Sequence, residues 1–489
     1  MSVQLQQYIA GDWVEGDGGL VTSTNPARPD EVVASGRQAG AAEVDRAVDA
    51  ARRAARGWAR TPAHERGAVL LAAAAHVEAN AQAWGLELAR EEGKTAAEGT
   101  GEVLRAAQIL RYYGNEGDRT AGEVFSSPRR GERILVTRKP LGVVGVITPF
   151  NFPIAIPAWK IAPALAYGNT VVWKPASVVP LLAMRLAQAL DAAGLPDGVL
   201  NLLIGPGSMG NELVEHPDLD GITFTGSTGV GRRLAAQGAA RGVPVQAEMG
   251  GKNAAVVLAD ADLDLAAEQL MFGAFRSTGQ KCTATSRLIV EDTVADEFLE
   301  RLRARLDSWA VGDPTDPAIQ MGPVIDAAAR KSILAGIETS LRQGARVVAG
   351  GGAAGTGAYD GGPLAEGAFV APTVLEVADG ANACWREEFF GPVLTLRRAS
   401  SAEEAFGLAN DSEFGLSAAV FTQDLTRTLE AVDELDVGIL HINSESAGAD
   451  PHVPFGGAKK SGYGPKEQGA AAKEFFTHTT TVYLRGGAA

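Results

Sequence analysis

Cysteine is nearly missing from this chain: Cys282 and Cys384 are the only two in 489 residues. Two thiols make neither a disulfide framework nor a four-cysteine zinc site. The six histidines show no HExxH or other paired spacing, so no protein-bound metal is expected. No stretch approaches the ~20 apolar residues of a membrane-spanning helix. The opening "MSVQLQQYIAGDWVEG" lacks the basic region and apolar run of a secretory leader. A cytoplasmic location is therefore expected, where a free thiol stays reduced. Positive charge is also in deficit, with 44 Lys and Arg against 59 Asp and Glu and a net charge of −15. That balance argues against a nucleic-acid surface, which would need a basic stripe, and against anionic membranes. A small anionic substrate stays compatible, because one local cation dominates within a Debye length of about 8–10 Å.

What is present is ample material for folded cores: 46% hydrophobic and 21% charged residues. The length predicts two or three domains. The first hundred residues read as Ala-rich helix, with apolar spacing of three and four in "AAEVDRAVDAARRAARGWAR" and "AHERGAVLLAAAAHVEANAQAW". Short β-branched runs then alternate with helical stretches: 143–147, 170–173, 199–204 and 221–225. This alternation predicts a parallel sheet with helices on both faces. A second alternating block starts near 253, which places a boundary at "EMGGKN". The Gly-rich stretch 349–367 reads as a surface loop. Two β-patterned segments, 132–142 and 473–484, belong to neither block. The second, terminal one is expected to pair with something, a neighbouring subunit being the natural partner.

Two glycine loops follow strands and open helices. "GPGSMG" (205–210) fits GxGxxG but lacks the acidic residue about 20 positions on. "FTGSTGVGRRLAAQGA" (224–239) would offer the amides of Gly226 and Ser227, and a helix N-terminus that favours phosphate. Either pattern is equally that of a tight strand-to-helix turn.

Cys282 lies in "FRSTGQKCTATSR", among small polar residues. It has three readings: a small buried hydrophobe, a redox thiol resolved by Cys384, or a nucleophile, which needs access and a thiolate. Glu248, before two glycines, reads as a loop carboxylate or a buried base. Asn151, between two prolines, reads as a turn residue or a side-chain donor.

The motifs "PFNFP", "WKPAS", "FTGSTGVG", "EMGGKN", "GQKCTATSR", "EEFFGPV" and "PFGGAKKSG" follow one another in this order. With them the chain resembles the NAD(P)-dependent aldehyde dehydrogenase superfamily from end to end. The resemblance implies an α/β fold: a Rossmann-like cofactor domain, an α/β catalytic domain and a bridging β oligomerisation segment. It divides the chain into 1–124 with 142–250, then 251–450, then 125–141 with 470–489, and implies a homodimer or homotetramer. It implies Cys282 as nucleophile, Asn151 as oxyanion donor with the Cys282 amide, and Glu248 as the base that hydrolyses the thioester. Thr148, Phe150, Lys174, Ser177, Gly207, Gly226, Ser227, Gly231, Glu388 and Phe390 become the cofactor contacts. NAD-specific members carry Glu where this chain has Ser177. A carboxylate there repels a 2′-phosphate, so the resemblance implies that NADP is accepted, with NAD also used. Arg232 and Arg233 are further cations near that end. A non-catalytic paralogue would be expected to lose Cys282, Glu248 or Asn151, and all three are here.

The text around these motifs is similar to bacterial 2-oxoglutarate semialdehyde (2,5-dioxopentanoate) dehydrogenases. That implies an aldehyde bearing a distal carboxylate, which needs a cation to receive it. Arg111 and Arg276 are the two expected to supply it. Trp159 stands where succinic-semialdehyde dehydrogenases carry Arg, which lowers that substrate. A broad aliphatic, aromatic or betaine-type specificity is the alternative.

Overall fold

The computed structural model describes residues 2–352, 359 and 364–487. Most of the Gly-rich segment 349–367, expected as a surface loop, lies outside the described residues.

The chain begins in strands, which corrects the helical reading of its first hundred residues. Val3–Leu5, Gln7–Ile9, Asp12–Val14, Leu20–Asn25 and Arg28–Arg37 precede the first helix, Ala41–Arg60. Three of these strands have three residues each, too short to show a period. Leu20–Asn25 does alternate exposed and buried positions, but its buried side includes Ser23 and Asn25, so no apolar stripe announces it.

An eight-stranded sheet forms the first layer. Its order runs Gly462–Tyr463, Val245–Glu248, Gly221–Thr225, Val143–Ile147, Thr170–Lys174, Leu200–Leu202, Gln7–Ile9, Asp12–Val14. The five strands from Val245–Glu248 to Leu200–Leu202 are parallel. They are almost wholly buried, and polar Asn201, Thr223 and Gln246 stand among their apolar residues. Val143–Ile147 comes first in the chain and sits centrally. The chain winds from it to one side through Thr170–Lys174, then crosses to its other side at Gly221–Thr225. That reversal is a topological switch point, and it opens a crevice beyond the carboxyl ends of the strands.

A seven-stranded sheet forms the second layer: Arg346–Gly350, Thr373–Glu376, Val393–Ala399, Thr285–Glu291, Asn253–Val257, Ser417–Phe421, Ile439–Ile442. Only Arg346–Gly350 runs antiparallel. Gly250 and Gly251 join the two sheets between Val245–Glu248 and Asn253–Val257. A Cβ on Gly250 would stand 2.0 Å from Glu388 Oε2, so a side chain there would displace the Glu388 carboxylate.

The two segments that fitted neither block meet each other. Thr477–Arg485 pairs antiparallel with Glu132–Pro140 along its whole length, and Gly122–Ser126 completes a three-stranded sheet. The terminal strand is thus paired along one side within its own chain, and it forms an outer edge of this sheet. Among the described residues no helix is long and apolar enough to cross a membrane.

Candidate active site

The cysteine loop is held by strain and its restraints. Helix Leu263–Phe275 ends, and three residues in a row turn left-handed: Ser277 (φ 51°), Thr278 (φ 55°) and Gly279 (φ 67°). A non-glycine residue there costs on the order of 1–3 kcal/mol and persists only where its surroundings hold it. Here Glu98 Oε1 accepts the Ser277 N–H at 2.7 Å, and Thr278 Oγ1 lies 3.1 and 3.2 Å from the carbonyls of Gly322 and Pro323. At Gly279 a Cβ would come within 2.3 Å of the Gly391 carbonyl oxygen. Beyond the turn, Asn253 Nδ2 donates to the carbonyls of Cys282 and Ala284 at 2.7 and 2.9 Å.

Cys282 is half-buried and forms part of the wall of two cavities at once. Burial, then the carboxylates of Glu388, Glu248 and Glu467, push its thiol up to about 12. Cys384 is fully buried in the second layer, its thiol against Asn382 Oδ1 at 3.2 Å, and lines neither cavity.

The first cavity, of about 450 Å³, lies in the crevice at the switch point. Thr148, Phe150 and Asn151 follow one central strand; Lys174 and Ser177 follow the next. Gly226 and Ser227 follow Gly221–Thr225, and Gly207, Glu388 and Phe390 close the rim. Gly231 lines no wall; it packs helix Thr228–Arg241 against Met249. Arg233 lies outside, donating to Asn211 Oδ1 at 3.3 Å on helix Gly207–Glu215.

This cavity fits a dinucleotide. Lys174 is buried and cationic, its ammonium pushed down to about 8 by burial alone. Ser227 caps the N-terminus of the helix Thr228–Arg241 with its hydroxyl unused by the cap, where anions bind well. Glu388 accepts the Gly251 N–H at 3.0 Å, and burial pushes its carboxyl up to about 7. Phe390, itself left-handed at φ 51°, meets Phe150 edge to face at 5.7 Å.

Asn151 is buried, and its Nδ2 donates to the Gln280 carbonyl at 2.8 Å. An amide nitrogen carries two N–H groups, so one remains for the cavity. Glu248 ends its strand but lines neither cavity. Its Oε2 accepts the Gly457 N–H at 3.0 Å. Burial and the neighbouring Glu467 raise its carboxyl well above the usual range. Glu467 is in turn paired with Lys160 inside the all-buried helix Ala155–Ala166.

The second cavity, of about 270 Å³, has an apolar side of Phe152, Trp159 and Phe455 and a cationic side of Arg105, Arg276 and Lys281. Arg276 stands over the Phe272 ring at 3.6 Å, with Glu445 3.8 Å away. Lys281 lies 3.6 Å from the same Glu445. Arg111 does not belong here. It leaves helix Ala96–Gly114 on another side and pairs with Glu78 at the surface. The pocket side of that helix carries Glu98, Gly101, Glu102 and Arg105, and Arg105 pairs with Asp450 at 3.0 Å.

Reading the sequence missed Lys94, Glu98, Glu102 and Arg105. One signal was there: Thr95-x-x-Glu98 is a capping box, with Thr95 N–H on Glu98 Oε2 at 2.9 Å and Glu98 N–H on Thr95 Oγ1 at 3.3 Å. Which helix face meets a pocket is not in that signal. Among the described residues no group of His, Cys, Asp and Glu is arranged to hold a metal ion.

A half-buried thiol between two cavities, one of them fit for a dinucleotide, on this double α/β frame is the arrangement of a dehydrogenase. The model of the aldehyde dehydrogenase family matches residues 13–482, and the chain belongs to that family. It is 43% identical over 480 residues to an alpha-ketoglutaric semialdehyde dehydrogenase of Bacillus subtilis, covering 98% of this chain and 97% of the relative. A 2,5-dioxopentanoate dehydrogenase of Saccharolobus solfataricus is 39% identical over 481 residues, covering 98% of each. Among solved structures, betaine aldehyde dehydrogenase of Staphylococcus aureus in complex with NAD+ superposes with a TM-score of 0.94 at 32% identity, over 98% of this chain and 94% of that one.

Proposed function

We propose that this aldehyde dehydrogenase oxidises 2-oxoglutarate semialdehyde to 2-oxoglutarate, with NADP accepted alongside NAD. One observation carries the reading: Cys282 stands between a crevice suited to a dinucleotide and a pocket with cations on one wall.

The Cys282 sulfur attacks the aldehyde carbon, forming a C–S bond as the C=O π bond breaks and the thiol proton passes to solvent water. The oxygen becomes an oxyanion, and Asn151 Nδ2–H is the side-chain donor placed for it. Lys174, Ser227 and Glu388 would hold the dinucleotide, which would supply the hydride acceptor for that carbon. A thioester stays on Cys282. Glu248 turns from Gly457, takes a proton from water, and the water oxygen displaces the sulfur to release the acid. Arg276 receives the distal carboxylate, and Glu445 gives way to it. Ser177, in place of a carboxylate, leaves room for a 2′-phosphate.

The relatives that act on this aldehyde support the substrate. Exposed Val124, Phe125, Tyr483 and Leu484 on the three-stranded sheet support assembly into a homodimer or homotetramer.

The test is cofactor reduction with 2-oxoglutarate semialdehyde, beside succinic semialdehyde, glutaraldehyde and benzaldehyde, with Cys282→Ala as control. A tenfold lead in kcat/KM, about 1.4 kcal/mol of discrimination, supports the oxo acid, and Arg276→Gln should erase that lead. Equal rates with the apolar aldehydes would instead make Phe152, Trp159 and Phe455 the determinants of a broad enzyme.

A further inference from the structure

Beneath the pocket lies a buried ion pair that the reaction itself does not use. Lys94 Nζ donates to Glu102 Oε2 at 2.6 Å, and both side chains are almost wholly shielded from solvent, at 1% and 2% exposure. Taking two charges out of water is costly, and the pair must recover that cost through geometry and further hydrogen bonds. Glu92 Oε2 lies 3.8 Å from Lys94 Nζ as a second carboxylate, and the further side-chain hydrogen bonds of the pair go to one segment. Lys94 Nζ also donates to the Asn151 carbonyl at 2.8 Å and lies over the Phe152 ring at 4.2 Å. The other oxygen of Glu102 accepts the N–H groups of Ile154 and Ala155 at 3.1 and 3.2 Å. These amides open helix Ala155–Ala166, which has no capping side chain of its own. Lys94 is itself pinned, its N–H on Glu92 Oε2 at 3.1 Å.

We propose that the Lys94–Glu102 pair is a positioning device that fixes both ends of segment 151–155 and so aims the Asn151 amide at the carbon above Cys282. The inference rests on the reading of Asn151 as oxyanion donor. Lys94 sets the backbone of Asn151 from below while Gln280 holds one side-chain N–H. Glu102 fixes the start of the helix that follows. Oxyanion donors work because they are already in place when charge develops, so a backbone free to shift weakens catalysis without touching substrate.

A double-mutant cycle tests this. Lys94→Gln is expected to lower kcat and kcat/KM together by tenfold or more, because the affected contact is made in the transition state. The iodoacetamide labelling rate of Cys282 should stay within twofold, showing an intact thiol loop. In an Asn151→Ala background the same change should cost less than twofold, since the group it positions is gone. An equal tenfold loss in both backgrounds, or a loss below twofold in the wild type, overturns the proposal. If Lys94→Gln does not fold, Glu102→Gln runs through the same cycle; it keeps an acceptor for the Ile154 and Ala155 amides while removing the charge that holds Lys94. A wild-type enzyme for which Asn151→Ala is harmless sinks the reading of Asn151. A damaging Asn151→Ala with a harmless Lys94→Gln sinks the positioning device alone.

Discussion

Asn151 reaches across the site to the loop of the nucleophile, its Nδ2 donating to the carbonyl of Gln280 at 2.8 Å. The Asn151 side chain and the cysteine loop therefore share one hydrogen bond, and on the proposed reading the second amide N–H serves the oxyanion. Asn151→Ala is expected to lower kcat by about 10²–10³, the range for one lost oxyanion donor. Cofactor affinity by fluorescence titration should move little. A loss below tenfold would show that the Cys282 amide suffices.

The thiol of Cys282 is pushed up to about 12, first by burial and then by Glu388, Glu248 and Glu467. Below such a value the thiolate fraction grows tenfold per pH unit. Iodoacetamide labelling of the cofactor-free protein should therefore rise steadily from pH 7 to 10 with no plateau. Glu388→Gln removes one of the opposing charges and should speed labelling severalfold at pH 9. A plateau near pH 8.5 would mean the thiol is not perturbed.

Burial and Glu467 raise the carboxyl of Glu248 well above the usual range where it stands against Gly457. It is a base only above that raised value, so thioester hydrolysis should quicken as pH rises through it. Glu248→Gln should give one rapid turnover and then stall, with the acyl group seen on Cys282 by mass spectrometry. Full steady-state turnover by that variant would remove Glu248 from the mechanism.

Ser177 lines the dinucleotide crevice with Lys174. Ser177→Glu places a carboxylate where a 2′-phosphate would lie. The expected result is a fall of tenfold or more in kcat/KM for NADP, with NAD changed less than threefold. Parallel losses for both would place the 2′ position elsewhere.

Glu91 is buried, bonds the Leu181 N–H at 2.9 Å, and is pushed by burial from 4.5 up to about 8. Between those values the folded state binds more protons than the unfolded one, so stability falls as pH rises. Below 4.5 the contribution is fully present; above about 8 it is lost. Glu91→Gln removes this slope. It should melt roughly 2 °C or more above the wild type at pH 8.5, with the gap closing by pH 5. A constant difference across that range would contradict the assignment.

The central parallel strands were legible because short β-branched runs such as Val143–Ile147 and Thr170–Lys174 alternate with helical stretches. The N-terminal strands were not, being three residues long or lined inward with Ser23 and Asn25. The terminal strand was legible as a strand, but its partner was not. Pairing with Glu132–Pro140 spans more than three hundred residues of chain, and alternation carries no address.

For the site, the residue types at Cys282, Glu248 and Asn151 were decided in the sequence, because nucleophile, base and amide donor are chemistries that few side chains supply. Their placement was decided only by the tertiary structure. The two cavities that meet at Cys282, the inward turn of Glu248 and the left-handed run at 277–279 all depend on contacts between distant segments. The choice of Arg276 and Arg105 over Arg111 is of the same kind. The sequence offered Arg111 and Arg276 and missed Arg105, and only the packing of helix Ala96–Gly114 sends Arg105 to the pocket and Arg111 to Glu78. A sequence states which groups exist; which of them converge depends on how helices and sheets pack, because that packing sets the direction each side chain takes.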